Sequence, residues 1–192
     1  MKVESLKNKN IIKGKNCSLE RFKEKDEKLV EMIYSIFNEK EIALFLNPDY
    51  LNYTTKAKIR TWLKKKENNP VEVWYIIKHK SKYVGYVCFK WRKHYDEACE
   101  ISTSIEKNYR GLKLGYESSK ILVDYVLGLK KFKYIVGYVY KKNKKAENNL
   151  RKIGFKKANR LNRIITDQFY GSSEDNNEDN NYTLMAIYSV DN

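Results

Sequence analysis

The sequence has few of the residues that build disulfide frameworks and metal centres. Its three cysteines, Cys17, Cys88 and Cys99, are an odd number without a C-x-x-C pair, which predicts neither a disulfide framework nor a zinc site. The two histidines, His79 and His94, stand in turn-like segments and pair in sequence with no Cys or Ser nucleophile. No cluster of Asp, Glu and His has the spacing of a metal site. We therefore expect no metal cofactor.

Long apolar runs are also missing. No run approaches the roughly 18 residues that a membrane-spanning helix needs, and residues 1–16 are basic without the apolar core of a signal peptide. We expect a cytoplasmic protein that has no membrane partner. The sequence contains no Gly-x-x-x-x-Gly-Lys-Ser/Thr segment, which excludes the phosphate-binding loop of an NTPase. It also shows no internal repeat and no convincing domain boundary.

Acidic residues are scarce between residues 107 and 160. The 192 residues carry a formal charge of +15, and residues 107–160 contain 16 Lys or Arg against three acidic residues. Such a field attracts phosphate groups, whether on nucleic acid, membranes or a cofactor. The alternative is a lysine-rich solvated surface with no specific partner. A hydrophobic content of 42%, with 14% aromatics, predicts a folded domain.

The order of periodic segments predicts one mixed α/β domain over residues 17–192, preceded by a loose basic tail at residues 1–16. Apolar residues at helical spacing follow Asp26, a candidate N-cap, and further helices are predicted at 55–67, 114–129 and 143–153. Strands are predicted at 17–22, 72–79, 83–91, 98–105, 132–140, 163–170 and 182–190. The acidic segment 171–181 is predicted to be a mobile loop.

A short basic turn, Asn108-Tyr-Arg-Gly-Leu-Lys-Leu-Gly-Tyr116, joins the 98–105 strand to the 114–129 helix. The first amides of a helix have no intrahelical acceptor, and they point with the positive end of the helix dipole at whatever fills the turn. Arg110 and Lys113 add positive charge. The turn therefore predicts a site for a phosphate-bearing ligand.

Two motifs give this sequence a resemblance to a known family. The first is Arg110-Gly-Leu-Lys113-Leu-Gly115, preceded by Tyr109, and the second is an Asn143-x-x-Ala146 helix start that runs into Gly154-Phe155. Both resemble the GNAT superfamily of acyl-CoA-dependent N-acetyltransferases. The similarity is greatest to the branch that acetylates ribosomal-protein N-termini or nucleotide-linked aminosugars. It implies a single domain with a mixed central sheet of six to seven strands and about four flanking helices.

The resemblance also implies a coenzyme site. In the family the amides of this turn cradle the coenzyme A diphosphate, and the preceding strand polarises the thioester carbonyl. Asn143 stands where the family contacts the coenzyme arm, although asparagine is also favoured as a plain N-cap. The residues expected to bind acetyl-CoA are Ile105, Arg110, Gly111, Leu112, Lys113, Leu114, Gly115 and Asn143.

The sequence indicates the catalytic residues less clearly than the coenzyme site. Glu100 stands where the resembling branch often has a carboxylate that faces the amine, so it is the candidate base, and its alternative is a solvated strand residue. Leu150 replaces the tyrosine with which the family often protonates the leaving thiolate. Lys113 replaces a family glycine, and we expect a negative φ there because a side chain is admissible at that conformation.

The function that follows is transfer of acetyl from acetyl-CoA to a primary amine by direct attack. The acceptor is left open between a small molecule, such as a nucleotide-linked aminosugar, and a protein N-terminus. The rival hypothesis is a non-catalytic protein of the same fold that binds nucleic acid, through its basic surface, or coenzyme A. The sequence leaves the oligomeric state open between monomer and homodimer.

Overall fold

The computed structural model describes residues 9–23, 26–43, 45, 48–92, 97–158 and 182–188. Its eight described strands are β1 (Ile11–Lys13), β2 (Ser18–Arg21), β3 (Glu72–His79), β4 (Lys82–Trp91), β5 (Ala98–Ile105), β6 (Tyr134–Tyr140), β7 (Lys156–Lys157) and β8 (Tyr182–Tyr188). They form one mixed sheet in the order β1-β2-β3-β4-β5-β6-β8-β7. The prediction of six to seven strands missed the short β1 (Ile11–Lys13) and β7 (Lys156–Lys157). The predicted strand at 163–170 and the predicted loop at 171–181 lie outside the described residues.

The described part of the chain divides into two compact units, one drawn from Met1–Cys88 and Ser102–Leu122 and the other from Phe89–Ile101 and Val123–Asn192. In the first unit β1 pairs antiparallel with β2 (Ser18–Arg21), which pairs antiparallel with β3 (Glu72–His79). The prediction of a loose tail at residues 1–16 is therefore wrong for residues 11–13. The sequence does not predict β1 because the strand has three residues, of which only Ile12 is buried, and three residues are too few to show a period.

The helices of the first unit begin where the sequence predicts. Helix α1 (Glu27–Phe37) follows Asp26, whose side chain accepts hydrogen bonds from the amides of Lys28 and Leu29. A four-residue helix that was not predicted, α2 (Lys40–Ala43), comes next, and then a 3₁₀ turn at Pro48–Asn52. Helix α3 (Lys56–Glu67) is capped by Thr55, whose hydroxyl accepts from the Lys58 amide.

One aromatic cluster forms the core beneath α1 and α3. Trp62 of α3 meets Trp74 of β3 edge-on at 5.0 Å and Phe37 of α1 at 5.1 Å. Such pairs add about 0.5 to 1.5 kcal/mol each to the free energy of burial. The same core holds the aliphatic residues that the helical spacing predicted, namely Leu29, Met32, Ile33, Ile36, Ile59 and Leu63.

The hairpin of β3 and β4 (Lys82–Trp91) and the following β5 (Ala98–Ile105) position the turn of interest. Lys80 and Ser81 form the hairpin turn at φ 45° and 65°, the positive values of a type I′ turn. Gly85 of β4 lies so close to β5 that an added Cβ would meet the Ser104 carbonyl oxygen at 2.2 Å. Beyond β5 the long helix α4 spans Leu114–Gly128.

The second unit contains β6 (Tyr134–Tyr140), β8 (Tyr182–Tyr188) and helix α5 (Lys144–Ile153). Strand β6 pairs antiparallel with β8 over seven residues, and β8 pairs with β7. The parallel pairing of β5 with β6 comprises three residue pairs, from Ala98–Tyr134 to Glu100–Val136. As predicted, Gly154 ends α5 at φ 115°, and its amide donates to the carbonyls of Leu150 and Arg151.

Candidate functional site

The turn between β5 and α4 presents a row of backbone amides without acceptors. A 3₁₀ turn at Lys107–Tyr109 follows β5, and its last hydrogen bond runs from the Arg110 amide to the Lys107 carbonyl at 3.2 Å. The first bond of α4 runs from the Glu117 amide to the Lys113 carbonyl at 3.0 Å. Between them, no described residue accepts a hydrogen bond from the six amides of residues 111–116. We call these six amides the amide cradle.

Two residues of the cradle have left-handed backbone conformations. Gly111 has φ 84°, which glycine adopts without steric cost. Lys113 has φ 60°, so the expectation of a negative φ at this position is wrong. A lysine is tolerated there because the left-handed region costs a non-glycine residue only about 1 to 2 kcal/mol. Left-handed residues in such a turn curve successive N–H groups into an anion-binding concavity.

The residues that carry the cradle amides differ in exposure. Leu114 is only 1% exposed and anchors the first turn of α4 in the core, whereas Leu112 is 54% exposed. Gly115 is partly exposed, and Gly111 and Lys113 are exposed. Leu114 therefore anchors the cradle in the core, whereas residues 111–113 face solvent.

Arg110 takes a role that the motif does not indicate. Its guanidinium makes a bidentate ion pair with Glu39, with N–O distances of 2.6 and 2.5 Å, and its Nε donates to the Ile105 carbonyl at 3.0 Å. The predicted site residues Ile105 and Arg110 are thus in direct contact. Glu39 was missed because it lies 71 residues away in sequence, beyond any local periodicity.

Two further contacts join the same segments. Lys107 pairs with Glu41 at 3.0 Å, and the Ser35 hydroxyl donates to the Glu106 carboxylate at 3.2 Å. Residues 35–41 at the end of α1 and in α2 therefore hold the start of the turn through three separate side-chain contacts. The site is therefore formed where two segments that are distant in sequence contact each other.

The candidate base, Glu100, belongs to the second unit. It is 8% exposed, and its carboxylate pairs at 3.1 Å with the ammonium of Lys90, which is also largely buried. A solvated strand residue, the alternative in the sequence, does not describe this carboxylate. A base role for Glu100 remains a prediction, and in this structure its charge is paired.

Asn143 and Leu150 also belong to the second unit. The Asn143 side chain accepts from the Ala146 amide at 3.1 Å and so caps α5, the plain role that the sequence allows. Leu150 packs over β6, since a Cβ added at Gly137 would meet its Cδ1 at 2.9 Å. Contact of Asn143 with a coenzyme arm stays a prediction.

Two of the three cysteines have thiols that burial disfavours as nucleophiles. Burial, with the nearby Glu117 charge, raises the pKa of Cys17 to about 12. Burial also raises the pKa of Cys99, which is fully enclosed, with a smaller contribution from Glu100. Neither thiol is ionised at neutral pH, and the thiolate is the reactive form of cysteine.

Over the residues that the structure covers, no group of His, Cys, Asp and Glu could hold a metal ion. The same residues include no helix with the length and apolar character required to cross a membrane.

Comparison with known proteins bears on the fold and on the family of the chain. The profile of the Acetyltransferase (GNAT) domain matches residues 17–156. No curated protein matches the sequence. Among solved structures, the ribosomal-protein-S5-alanine acetyltransferase from Vibrio fischeri superposes with a TM-score of 0.70 at 15% identity, over 94% of this chain and 97% of that one.

Two other solved structures contain coenzyme. The ribosomal L7/L12 alpha-N-protein acetyltransferase RimL, in complex with coenzyme A, gives a TM-score of 0.69 at 14% identity, over 93% of this chain and 97% of that one. The microcin C7 self immunity acetyltransferase MccE, in complex with acetyl-CoA and AMP, gives 0.67 at 16% identity, over 91% and 93%. These likenesses show the α/β GNAT fold, a single domain, as the sequence predicts. Because the profile covers more than half of the sequence, the chain belongs to the GNAT acetyltransferase family.

Proposed function

We propose that this protein transfers the acetyl group of acetyl-CoA to a primary amine. The observation that carries the proposal is the amide cradle, six consecutive N–H groups at the positive end of α4 for which the described part of the chain provides no acceptor. A diphosphate supplies several acceptor oxygens and two or more negative charges, which is the complement of such a cradle. The family of the chain makes acetyl-CoA the expected diphosphate.

Binding would depend on the backbone more than on Arg110. The guanidinium is committed to Glu39 and to the Ile105 carbonyl, so it fixes the start of the cradle and the end of β5. We expect Gly111, Leu112, Lys113, Leu114 and Gly115 to contact the diphosphate through their amides, with the exposed Lys113 ammonium adding charge. The acetyl-bearing arm would extend along the Ser102–Ile105 end of β5.

Transfer would proceed in one displacement. The neutral amine attacks the thioester carbonyl, so that the C–N bond forms and the C–S bond breaks. The coenzyme leaves as thiolate, and the nitrogen passes its proton to water. The buried, protonated thiols of Cys17 and Cys99 offer no nucleophile for an acyl-enzyme. A free thiol has a pKa of about 8.5, so the thiolate is a tolerable leaving group although Leu150 replaces the family's usual acid.

The acceptor is proposed in two classes. RimL and the Vibrio fischeri enzyme are described as acting on ribosomal proteins, which supports a protein N-terminus as one class. The positive field of the chain supports acceptors that carry phosphate, and a nucleotide-linked aminosugar is the second class. Both classes bring negative charge or an RNA-associated partner to a basic protein.

The experiment is a calorimetric titration with acetyl-CoA of the protein and two Leu112 variants. Leu112→Glu places a carboxylate beside the cradle, where it competes for the amides and repels a diphosphate, while Leu112→Gln has the same shape and no charge. Leu112 is exposed, so neither change disturbs the core. We expect Leu112→Glu to weaken binding by about tenfold or more, the effect of one lost charge-assisted contact, and Leu112→Gln to change it little.

Catalysis is tested by free-thiol release with both acceptor classes. Absence of acetyl-CoA binding in the unchanged protein would overturn the proposal. Equal losses in the two Leu112 variants would show that the ligand does not use the cradle.

A second candidate is a coenzyme A-binding protein without turnover. Two observations favour it, namely Leu150 packed at the usual position of the acid and Glu100 held by Lys90. This candidate predicts acetyl-CoA binding that depends on the cradle, with no thiol release for any acceptor. Thiol release that requires both acetyl-CoA and an amine would exclude it.

A further inference from the structure

A basic groove lies at the ends of two hairpins in the first unit, away from the amide cradle in sequence. It has a volume of about 380 Å³ and is formed by the β1–β2 turn and the β3–β4 turn. Its polar lining includes four lysines, two serines and one carboxylate, namely Lys13, Lys15, Lys78, Lys80, Ser18, Ser81 and Glu20. The volume is in the range of small-ligand sites, about 300 to 1,000 Å³.

Strand register brings part of this charge together. Lys13 of β1 is the partner of Ser18 of β2, which is the partner of Lys78 of β3. Directly opposed residues of neighbouring strands point to the same face of the sheet, so two lysines flank one hydroxyl in a row. Glu20, the one carboxylate among the described lining residues, pairs with Lys78 at 3.1 Å.

The other lysines have no such partner. Within the described residues no carboxylate lies in ion-pair distance of Lys13, Lys15 or Lys80. Three lysines that line one groove are therefore without an ion-pair partner among the described residues. The hydroxyls of Ser18 and Ser81 add neutral donors to the same lining.

The groove is built on rigid turns. The Glu117 carboxylate of α4 accepts from the Asn16 backbone amide at 2.6 Å and from its side-chain amide at 2.7 Å. The backbones of Lys15 and Cys17 also donate to this carboxylate. The ring of His79 lies 2.6 Å from the Asn16 carbonyl oxygen and so links the two turns. These contacts fix the backbones of the two turns that carry the lysines independently of any ligand.

We propose that this groove binds a ligand whose phosphate groups carry two or more negative charges in total. Uncompensated ammonium groups and hydroxyl donors on a fixed frame recognise phosphate oxygens by charge-assisted hydrogen bonds. None of the described lining residues is an aromatic on which a nucleobase could stack, so the recognition proposed is of phosphate and not of a base. The proposal does not rest on acetyl transfer.

The test is an NMR titration of the ¹⁵N-labelled full chain with inorganic pyrophosphate, because it locates binding by residue. We expect the amide signals of residues 14–18 and 80–81 to shift and saturate, separately from any shift of residues 111–116. In the double variant Lys13→Gln, Lys80→Asn the affinity at the groove should fall by at least about tenfold. Asparagine suits the positive φ of residue 80, so the turn is expected to survive.

The matched control is Lys64→Gln, Lys65→Gln, which removes the same charge from the exposed face of α3. Unshifted groove signals, shifts that grow without saturation, or equal losses in both double variants would overturn the proposal. A parallel titration with a short single-stranded RNA separates the sources of phosphate. Shifts at the groove with RNA and competition with pyrophosphate indicate a nucleic-acid backbone, and saturation by pyrophosphate alone indicates a small phosphorylated ligand.

Discussion

The ion pair of Arg110 with Glu39 should contribute more to stability than an exposed pair of the same chemistry. The Glu39 side chain is 14% exposed and that of Arg110 is 32% exposed, and the two N–O contacts are 2.6 and 2.5 Å. Exposed ion pairs give about 0.2 to 1 kcal/mol, whereas hydrogen bonds to charged groups give about 1.5 to 3. Since the pair is bidentate and partly shielded, we expect a coupling free energy of about 1 to 2 kcal/mol.

The assay is a double-mutant cycle from urea unfolding of the unchanged protein, Glu39→Gln, Arg110→Gln and the double variant. The cycle removes the separate cost of losing the Arg110 bond to the Ile105 carbonyl, because both Arg110 variants lose it. The chain supplies a matched control in the Arg60–Glu27 pair, which is also bidentate, at 3.0 and 2.7 Å, but is mostly exposed. We expect that pair to show the smaller coupling.

The dependence of the coupling free energy on salt also distinguishes the two ion pairs. At 1 M salt the Debye length is about 3 Å, so an exposed pair loses most of its attraction and a shielded pair loses less. A coupling for Arg110–Glu39 that is no larger than that of Arg60–Glu27, or that vanishes equally in salt, would refute the reasoning from burial. A coupling of the expected size would show that residues 35–41 stabilise the start of the amide cradle.

Three further predictions concern glycine, pH and a turn. Gly85→Ala should lower the free energy of unfolding by about 1 to 3 kcal/mol, because the new Cβ would meet a β5 carbonyl at 2.2 Å. The same change at Gly128, where a Cβ meets nothing within 4 Å, should raise it by about 0.5 to 1 kcal/mol, and urea unfolding compares the two. Burial raises the pKa of Glu117, but hydrogen bonds from the 15–17 turn outweigh burial and hold it below its usual value. The stabilisation that ionised Glu117 gives the folded state is therefore complete above its unfolded pKa of about 4.3. It is lost as pH falls through the lower pKa of the folded state. The difference in unfolding free energy between the unchanged protein and Glu117→Gln should accordingly shrink below pH 4, and a constant difference would contradict this assignment. Lys80→Asn with Ser81→Gly suits the positive φ of both residues, so thermal unfolding should show a gain of about 0.5 to 1 kcal/mol, and a loss would exclude a type I′ turn.

The sequence predicts the elements that a long period or a cap defines. Helix α3 follows from Ile59, Trp62 and Leu63 at helical spacing, and these three residues are buried. Strand β5 was predicted at 98–105 and is observed at Ala98–Ile105, since its apolar residues alternate between turn signals. Local patterns of this kind need no knowledge of the partner that covers them.

Long-range contacts explain what the sequence does not reveal. Strand β1 exists because it pairs with β2, and one buried isoleucine in three residues gives no pattern. The motif suggests that Arg110 serves the ligand, yet its guanidinium binds a glutamate 71 residues earlier. The turn imposes a left-handed φ on Lys113, a conformation that glycine adopts more readily than lysine, so the residue type does not predict it. Each of these features depends on a partner that is distant in sequence or on a backbone angle.

The N-terminal hairpin also has a consequence for the amide cradle. Glu117 stands in the first turn of α4, where a free carboxylate would compete with a bound diphosphate for the positive end of the helix. The amides of the 15–17 turn satisfy that carboxylate, and they direct its charge toward the hairpin. Residues that read as a loose tail thereby keep the acid of the first turn away from the amides of residues 111–116. The hairpin therefore helps to make the start of α4 a site for anions, because without the hairpin the Glu117 carboxylate would lack these hydrogen bonds.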